Sequence, residues 1–342
     1  MIRTLTYEQI DRTAWTERIR SSKTGTWFQS PEAYDFFASM PEQFEPFVIG
    51  VASNLLSFQG RVGDRLSLRG ICVGYITKER NPLRQFFTRR AIILGGPCLA
   101  DDATDDEVET LMRAIVYSVR CKVYSPIYVE TRNFNDYSQW RTAFEKAGFA
   151  YKQHLNFHVN TQDFEARLSD NRRRQIGKAK NLVICELAND ESDIREWYAV
   201  LSELYRTKVR TPLLPMHFFL EAYRQKIAQF LLVKYDGHVI GGSMLVSLCG
   251  VVYEWFECGL NTRYKDQYPS VMATYSGIRY AQEHGCERYD MMGAGEPNKP
   301  YGVRDFKAEF GGTLVEHGRF LCVCHPLLYR FGVFIVRILK HL

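Results

Sequence analysis

The sequence predicts an α/β protein of the α+β type, with two tandem domains that each contain a mixed, mostly antiparallel sheet flanked by helices. Its 342 residues exceed the roughly 250 at which single hydrophobic cores usually stop growing. The apolar fraction of 46% and the charged fraction of 24% are those of a folded globular chain. The order of predicted elements in the first half also recurs in the second half. We therefore predict domains over 1–160 and 161–325, followed by an amphipathic helix over 326–342.

The first half reads as strands interrupted by three helices. A short helix follows Pro31, because proline suits the first helical position. The acidic run 101–107 favours the start of a second helix, whose apolar residues recur at helical spacing from Val108 to Val119. Gly148 ends the third helix, over 137–147. The predicted strands cover 47–52, 55–58, 71–77, 91–94, 127–131 and 151–159.

The second half repeats this alternation. Asp236 and Gly237 form a two-residue hairpin signal between the strands 230–235 and 239–248. Gly285 ends the helix 270–283 and introduces the strand 288–292. The other predicted strands are 182–187, 251–258 and 313–324, and the other helices are 193–207 and 215–228.

The C-terminal segment predicts a basic amphipathic helix that is too short and too charged to span a bilayer. At 100° per residue its cations and its apolar residues separate onto two sides. The cations are Arg330, Arg337, Lys340 and His341, and the apolar residues are Phe331, Phe334, Ile335, Ile338 and Leu342. Two interpretations remain open: the helix lies on a membrane surface, or it packs its apolar side on the second domain.

Composition limits the classes of function. A net charge of +5 is too small for a dedicated nucleic-acid binder, so we expect no DNA partner. The nine cysteines contain no C-x-x-C pair, so neither a metal site nor a redox centre is predicted. The polar N-terminus lacks the apolar core of a secretory signal, so we expect the cytoplasm, with contact at the inner membrane surface if the C-terminal helix binds there.

The element order in each half resembles the fold of the GCN5-related N-acetyltransferases (GNAT). In that family the donor pyrophosphate rests on N–H groups at a helix N-terminus, after a glycine-containing loop. The corresponding segment here is 267–272, which has no glycine and in which Pro269 removes an N–H. In the first half four aspartates between 101 and 106 would repel a pyrophosphate.

Three local patterns resemble the Fem aminoacyltransferases, which share a duplicated acyltransferase fold. They are the Arg172-Arg173 to Lys178-Ala179 helix, the strand end Tyr289-Asp290-Met291-Met292-Gly293, and Phe306-Lys307-x-x-Phe310-Gly311. Their order and spacing are more specific than any one of them. The resemblance implies amide-bond formation, in which an aminoacyl or acyl group passes to an amine on a cell-envelope or peptidoglycan-type precursor. It also implies a donor that is aminoacyl-tRNA or acyl-CoA and no permanently bound cofactor.

The resemblance assigns Lys307 to stabilising the oxyanion of the attacked carbonyl. The proton of the attacking ammonium needs an acceptor, for which Asp290 at a strand end, Glu254 and Glu257 are candidates. Tyr253 is expected to line the same cleft. Each of these side chains has a structural alternative as part of a hydrogen-bonded or packed core.

A second set of residues is predicted to bind substrate. Arg172, Arg173 and Lys178 are suited to phosphates of a nucleotide- or lipid-linked sugar or of tRNA. Phe306 lies beside Lys307, and Tyr301 and Arg304 belong to a loop that can close over substrate. Ser270 starts the helix that would meet CoA if the chain is instead a CoA-dependent N-acyltransferase of a sugar or small amine. A third alternative is a non-catalytic protein that binds anionic glycans or a membrane surface through 172–180 and the C-terminal helix.

Overall fold

A computed structural model describes residues 2–56, 62–209 and 212–341. The chain forms two compact units, Met1–Gln153 with His317–Leu342, and His154–Glu316. The sequence predicts a single boundary between the two domains at residue 160, whereas the first unit also includes residues 317–342. No helix in the described part of the chain is both long enough and apolar enough to cross a bilayer.

The first unit is built on an eight-stranded sheet. Its strands are β1 (Ile2–Leu5), β2 (Phe44–Leu56), β3 (Val62–Thr77), β4 (Ala91–Gly95), β5 (Cys98–Leu99), β6 (Tyr128–Asn133), β7 (Ala150–Lys152) and β15 (Arg319–Val323). The order across the sheet is β1-β2-β3-β4-β6-β15-β7, with β5 paired to β3. The predicted strands 47–52 and 55–58 are parts of the single strand β2 as far as Leu56, while residues 57 and 58 lie outside the described residues.

The helices of this unit are α1 (Arg12–Ser21), α2 (Pro31–Ala38), α3 (Pro82–Thr88), α4 (Asp105–Arg120), α5 (Arg141–Lys146) and α12 (Pro326–His341). Helix α4 begins with a capping box between Thr104 and Glu107, as its acidic start suggested. Arg69 pairs with both Asp102 and Glu107. The start of α4 is therefore occupied by the chain's own carboxylates.

Gln29 connects two strands of the first sheet. Its fully buried amide donates to the carbonyls of Val73 (2.9 Å) and Leu94 (2.7 Å), and its oxygen accepts from the Val73 N–H (2.8 Å). These bonds satisfy backbone groups of β3 and β4 that would otherwise be buried without partners.

We expect Gln29→Ala to lower the free energy of unfolding by about 3 kcal/mol, because the change leaves three buried backbone groups unsatisfied. Urea denaturation measures the loss. Gln9→Ala is the matched control: Gln9 bonds a backbone N–H at an exposed position, and we expect its change to cost about 0.5 kcal/mol. Equal losses in the two variants would contradict the connecting role of Gln29.

Two predicted strands divide between the sheets. The predicted strand 151–159 is β7 in the first sheet followed by β8 (Leu155–Asn160) in the second sheet. Likewise, 313–324 is β14 (Thr313–Glu316) in the second sheet and then β15 in the first. Gly318 separates β14 from β15 at φ +66°, where an added Cβ would lie 2.2 Å from the Tyr151 ring. Only glycine fits this turn.

The second unit is built on a seven-stranded sheet of order β14-β8-β13-β12-β11-β10-β9. Its remaining strands are β9 (Ile184–Leu187), β10 (Gln229–Tyr235), β11 (His238–Leu248), β12 (Val251–Gly259) and β13 (Arg288–Gly293). The predicted hairpin is confirmed: Asp236 and Gly237 both have positive φ, 50° and 77°, and Tyr235 pairs with His238.

Helices pack on both faces of this sheet: Phe230 of β10 contacts Trp197 and Tyr223, while Leu231 packs on the other face in a cluster with Ala273. The helices are α6 (Phe164–Arg167), α7 (Asp170–Ala179), α8 (Glu191–Leu204), α9 (Met216–Arg224), α10 (Pro269–Glu283) and α11 (Gly302–Ala308), and a π-helical turn over Tyr205–Val209 follows α8. Residues of α10 and of the central strands share one buried apolar cluster, which includes Val252, Ala273 and Tyr289. The central strands and α10 therefore share one hydrophobic core.

Candidate active site

Strands β12 and β13 separate part of the way along their length. They are parallel and pair from Val251 with Arg288 to Tyr253 with Asp290. Beyond these pairs residues 254–259 and 291–293 form no ladder with each other, although all lie in the described chain. Such a separation exposes backbone groups and side chains between two strands, which is where a ligand can reach the sheet.

A β-bulge in β12 brings two acidic residues to the same face. Met244 pairs with Phe256 and Leu245 pairs with Glu254, so Trp255 is an extra residue in β12. Residues three apart lie on opposite faces of a regular strand. The extra residue reverses that alternation, and Glu254 and Glu257 consequently share one face.

Glu254 is held by three hydroxyl groups. Its Oε1 accepts from Tyr289 (2.8 Å), Thr274 (3.0 Å) and Ser243 (3.3 Å), and its side chain is buried. Burial raises the pKa of this carboxyl, and the charge of Lys307 and the hydroxyl bonds oppose the rise. Because the three donors fix its position, Glu254 is suited to orienting its neighbours.

Glu257 has a different environment. It is half-buried, and its Oε1 is buried without a hydrogen-bond partner in the described part of the chain. Burial and then the neighbouring charge of Glu254 raise the pKa of Glu257 to about 8, while Ser270, Lys307 and Lys208 oppose the rise. A carboxyl group with a pKa near neutrality and an unused acceptor atom is able to take up a proton during a reaction.

Lys307 on α11 is buried, with 8% of its surface exposed. Its Nζ donates to the carbonyls of Met291 and Gly293, the second at 2.8 Å, in the part of β13 that leaves β12. Burial lowers the pKa of the ammonium, and the charges of Glu254, Asp290 and Glu257 oppose this effect. An ammonium has three donors, so the two bonds to described residues leave one N–H for a ligand carbonyl.

Asp290 lies on the other face of the sheet from Glu254. Asp290 is paired in parallel with Tyr253, so the two side chains lie on the same face of the sheet. Tyr253 and Glu254 are neighbours in β12, and neighbouring side chains of a strand lie on opposite faces. Its Oδ1 accepts from the Met292 N–H (2.8 Å), and its Oδ2 is 3.1 Å from His158 Nε2. Met292 has φ +62°, and the Asp290 bond supports this unusual backbone at the strand end. The structure therefore does not bring all three predicted acids to one face.

Tyr253 is fully buried. Burial raises the pKa of its hydroxyl well above the usual value. The position of Tyr253 therefore agrees with the structural alternative, a side chain packed in the core, more than with a residue that lines the cleft.

The N-terminus of α10 is largely occupied by the protein itself. The Ser270 N–H donates to Asn261 Oδ1 (3.1 Å), and the Ser270 hydroxyl accepts from Asn261 Nδ2 (2.8 Å). Pro269 supplies no N–H. Two of the positions that would hold a pyrophosphate are consequently not available, which extends the expectation drawn from the missing glycines.

Arg172 is placed differently from the prediction that it binds phosphate. Its guanidinium lies 4.6 Å from the Phe306 ring and 4.7 Å from the Phe310 ring. It also donates to the Phe306 carbonyl (3.1 Å) and is 3.5 Å from Glu309. Since this side chain is only 4% exposed, Arg172 and Phe306 serve to hold α11 and hence Lys307 in place.

The remaining predicted binding residues lie around α7 and α11. Arg173 and Lys178 are exposed, and Arg173 donates to the carbonyl of Leu168 (3.2 Å). Tyr301 is exposed, whereas Arg304 donates to three carbonyls of the loop 294–297 and thereby fixes it. These side chains remain predicted substrate ligands.

Sequence reasoning missed four polar residues of this site: Ser243, Asn261, Thr274 and Tyr289. Tyr289 was noted only as part of a motif. Ser243 and Thr274 lie in apolar stretches of the sequence. A Ser or Thr within an otherwise buried stretch is a signal that a polar partner lies inside. Among the described residues no group of three His, Cys, Asp or Glu side chains is arranged to hold a metal ion.

Solved structures with the same fold cover nearly the whole chain. The crystal structure of FemX superposes with a TM-score of 0.70 at 13% identity, over 96% of this chain and 99% of that one. L-PGS from Bacillus licheniformis gives a TM-score of 0.56 at 11% identity, over 97% of both chains. A tandem GNAT protein from the clavulanic acid biosynthesis pathway gives 0.54 at 9% identity, over 94% of this chain and 98% of that one. These likenesses establish the fold as two tandem GNAT-like domains, as the sequence predicted.

No curated protein sequence matches the chain. The sequence profile of the FemAB family, in contrast, matches residues 122–336, which is more than half of the chain and includes all the site residues above. Family membership also argues against the non-catalytic alternative. The chain belongs to the FemAB family and, with that family, is an acyltransferase of the aminoacyl- or N-acyl-transferring class.

Proposed function

We propose that the protein transfers an aminoacyl group from aminoacyl-tRNA to an amine on a cell-envelope precursor, in the cytoplasm at the inner surface of the membrane. The observation that carries the proposal is the arrangement of Lys307 and Glu257 at the separation of β12 and β13, with one donor and one acceptor atom unused by described residues. FemX and L-PGS, the two structures of highest TM-score cited above, support a donor and acceptor of this kind.

The two residues divide the chemistry between them. The acceptor amine loses its proton to Glu257 and attacks the ester carbonyl of the donor. Lys307 stabilises the negative charge that forms on the carbonyl oxygen, through the N–H that the protein leaves free. The amide forms as the ester C–O bond breaks, and protonated Glu257 returns its proton to the leaving tRNA oxygen. The acceptor nitrogen, which entered as an ammonium, releases its second proton to solvent.

The environment of α10 favours aminoacyl-tRNA over CoA as donor. A CoA pyrophosphate needs several free N–H groups at a helix N-terminus. Here Pro269 has none and the Ser270 N–H is bonded to Asn261. The acceptor sugar, whether nucleotide-linked or lipid-linked, is proposed to meet the exposed cations Arg173 and Lys178 of α7.

A donor comparison tests the proposal. The full chain is incubated with radiolabelled aminoacyl-tRNA or with labelled acetyl- and palmitoyl-CoA, and with nucleotide-linked and lipid-linked envelope precursors as acceptors. We expect label in an alkali-stable amide only with aminoacyl-tRNA. Transfer from CoA thioesters together with calorimetric CoA binding would overturn the donor assignment, and label from neither donor would overturn the proposed reaction.

A further inference from the structure

An exposed apolar surface lies on the first unit, whereas the residues proposed for catalysis belong to the second unit. It is formed by two short helices that are distant in sequence, α3 and the first part of α12. Its members are Leu83, Phe86, Phe87, Leu327, Phe331, Phe334 and Ile335, with exposed fractions between 38% and 81%. We call these seven residues the α3/α12 patch.

The patch is one surface because the two helices touch. The ring centroids of Phe87 and Phe331 are 5.8 Å apart. On the opposite side of α12, the Tyr329 hydroxyl is 3.0 Å from Lys152 Nζ, and its ring meets the Tyr128 ring edge-on at 5.7 Å. Helix α12 therefore anchors to the first unit through Tyr329 and presents Phe331, Phe334 and Ile335 to solvent.

This arrangement corrects one of the two interpretations of the C-terminal helix. We expected either contact with a membrane or packing of the apolar side on the second domain. Helix α12 belongs to the first unit, and Phe331, Phe334 and Ile335 on its apolar side are exposed. Leu342 and the side chain of Ile338 lie outside the part of the chain that the structure describes.

The charge around the patch favours an anionic partner. The segments 80–90 and 325–342, which contain both helices, carry seven Lys and Arg residues and no Asp or Glu, and of these Arg89 is buried and Arg80 pairs with Glu42. The whole chain has a net charge of only +5, so the rest of the chain is net acidic. Arg84 and Arg330 are exposed beside the apolar side chains. Aromatic side chains flanked by arginines suit the boundary between lipid headgroups and acyl chains.

We propose that the α3/α12 patch docks the protein on a bilayer that contains anionic lipid. The aromatic and leucine side chains enter the interface, and the arginines pair with lipid phosphates. A second copy of the chain is disfavoured as the occupant, because a two-fold contact would bring the same basic segments together. The proposal is independent of the donor and acceptor argued above.

Vesicle co-sedimentation tests this proposal with the full-length protein. We expect binding to vesicles of phosphatidylcholine with about 30% phosphatidylglycerol, whose negative surface potential attracts basic segments, and weaker binding to phosphatidylcholine alone. The double variant Phe331→Asp/Phe334→Asp should bind roughly tenfold less or weaker still, because two anchors are lost and two negative charges added. Arg84→Glu/Arg330→Glu should reduce binding to the anionic vesicles and leave the weak binding to phosphatidylcholine unchanged.

Ile184→Asp is the matched control, since Ile184 is an apolar residue of the second unit with 64% exposure. It should bind vesicles as the unmodified protein does. Thermal melting of each variant checks that the fold is kept; exposed positions should tolerate these changes. The proposal is overturned if the unmodified protein does not bind anionic vesicles, or if the Phe331/Phe334 variant and Ile184→Asp bind equally. A dimer that the Phe331/Phe334 variant dissociates, with no vesicle binding, would identify the patch as a self-association surface instead.

Discussion

Replacing Lys307 with alanine is expected to lower kcat by about 100- to 1000-fold, the usual effect of removing one oxyanion donor. The ammonium is buried, and its position is fixed by two carbonyls of β13 and by α11, which Arg172 holds. A donor fixed in advance needs no rearrangement when charge develops on the substrate carbonyl. Loss of turnover with little change in KM would indicate that Lys307 acts in the transition state.

The same lysine also has a structural role, so the experiment must separate the two. Removing it leaves the carbonyls of Met291 and Gly293 without their donor, which should cost about 1–3 kcal/mol of stability. Added ethylammonium can restore activity to Lys307→Ala by filling the space of the missing side chain, and a purely structural loss would not respond in this way. Lys23→Ala, at a lysine of the first unit whose side chain is 87% exposed, is the control and should retain activity. Unchanged turnover in Lys307→Ala would exclude the catalytic role.

The sequence predicted those parts of the fold that depend on local signals. The hairpin at Asp236 and Gly237 was predictable because its two residues adopt positive φ more easily than most others. The helix α4 was predictable from its acidic start and its apolar spacing. Long-range choices were not predictable in the same way. Nothing in the alternation of 151–159 or 313–324 indicates that each segment serves two sheets, because the pattern of a strand is the same whichever partner it finds.

The candidate site likewise combines features that local sequence patterns predict with features that depend on long-range contacts. Lys307 and the acidic residues of β12 were identified from motifs and strand positions. The two acids share one face because of the bulge at Trp255, which depends on how β11 pairs with β12. A three-residue separation in a regular strand would have placed Glu254 and Glu257 on opposite faces. The packing of Arg172 against Phe306 and Phe310 was equally invisible, because an arginine that binds phosphate and one that packs on aromatic rings have the same sequence pattern.

Glu257→Gln is expected to lower kcat/KM by about 100- to 10,000-fold, the usual contribution of a general base. Glutamine keeps the shape of the side chain but cannot accept the proton of the attacking ammonium. The pKa of Glu257 is raised to about 8, so the reaction of the unmodified enzyme should accelerate as the pH rises through about 8. The variant should lose this rise. Glu254→Gln, on the same face of the same strand, is the matched control and should keep a rise with pH even if its activity is lower.

The ionisation of Glu257 should also affect stability: activity is expected to rise with pH, whereas the free energy of unfolding is expected to fall. Because the pKa of Glu257 is higher in the folded state than in the unfolded state, the folded protein binds more protons between about pH 4.3 and pH 8. The free energy of unfolding therefore falls as the pH rises through this window, because the folded protein must then hold the negative charge of Glu257 in a buried position. Glu257→Gln removes that charge, so its melting temperature should exceed that of the unmodified protein at pH 9 and approach it at pH 5.

A rise in activity with pH that persists in Glu257→Gln but disappears in Glu254→Gln would transfer the role of base to Glu254. A variant that is both less active and more stable at high pH would instead show that a carboxylate is kept in this unfavourable environment for the reaction and not for the fold.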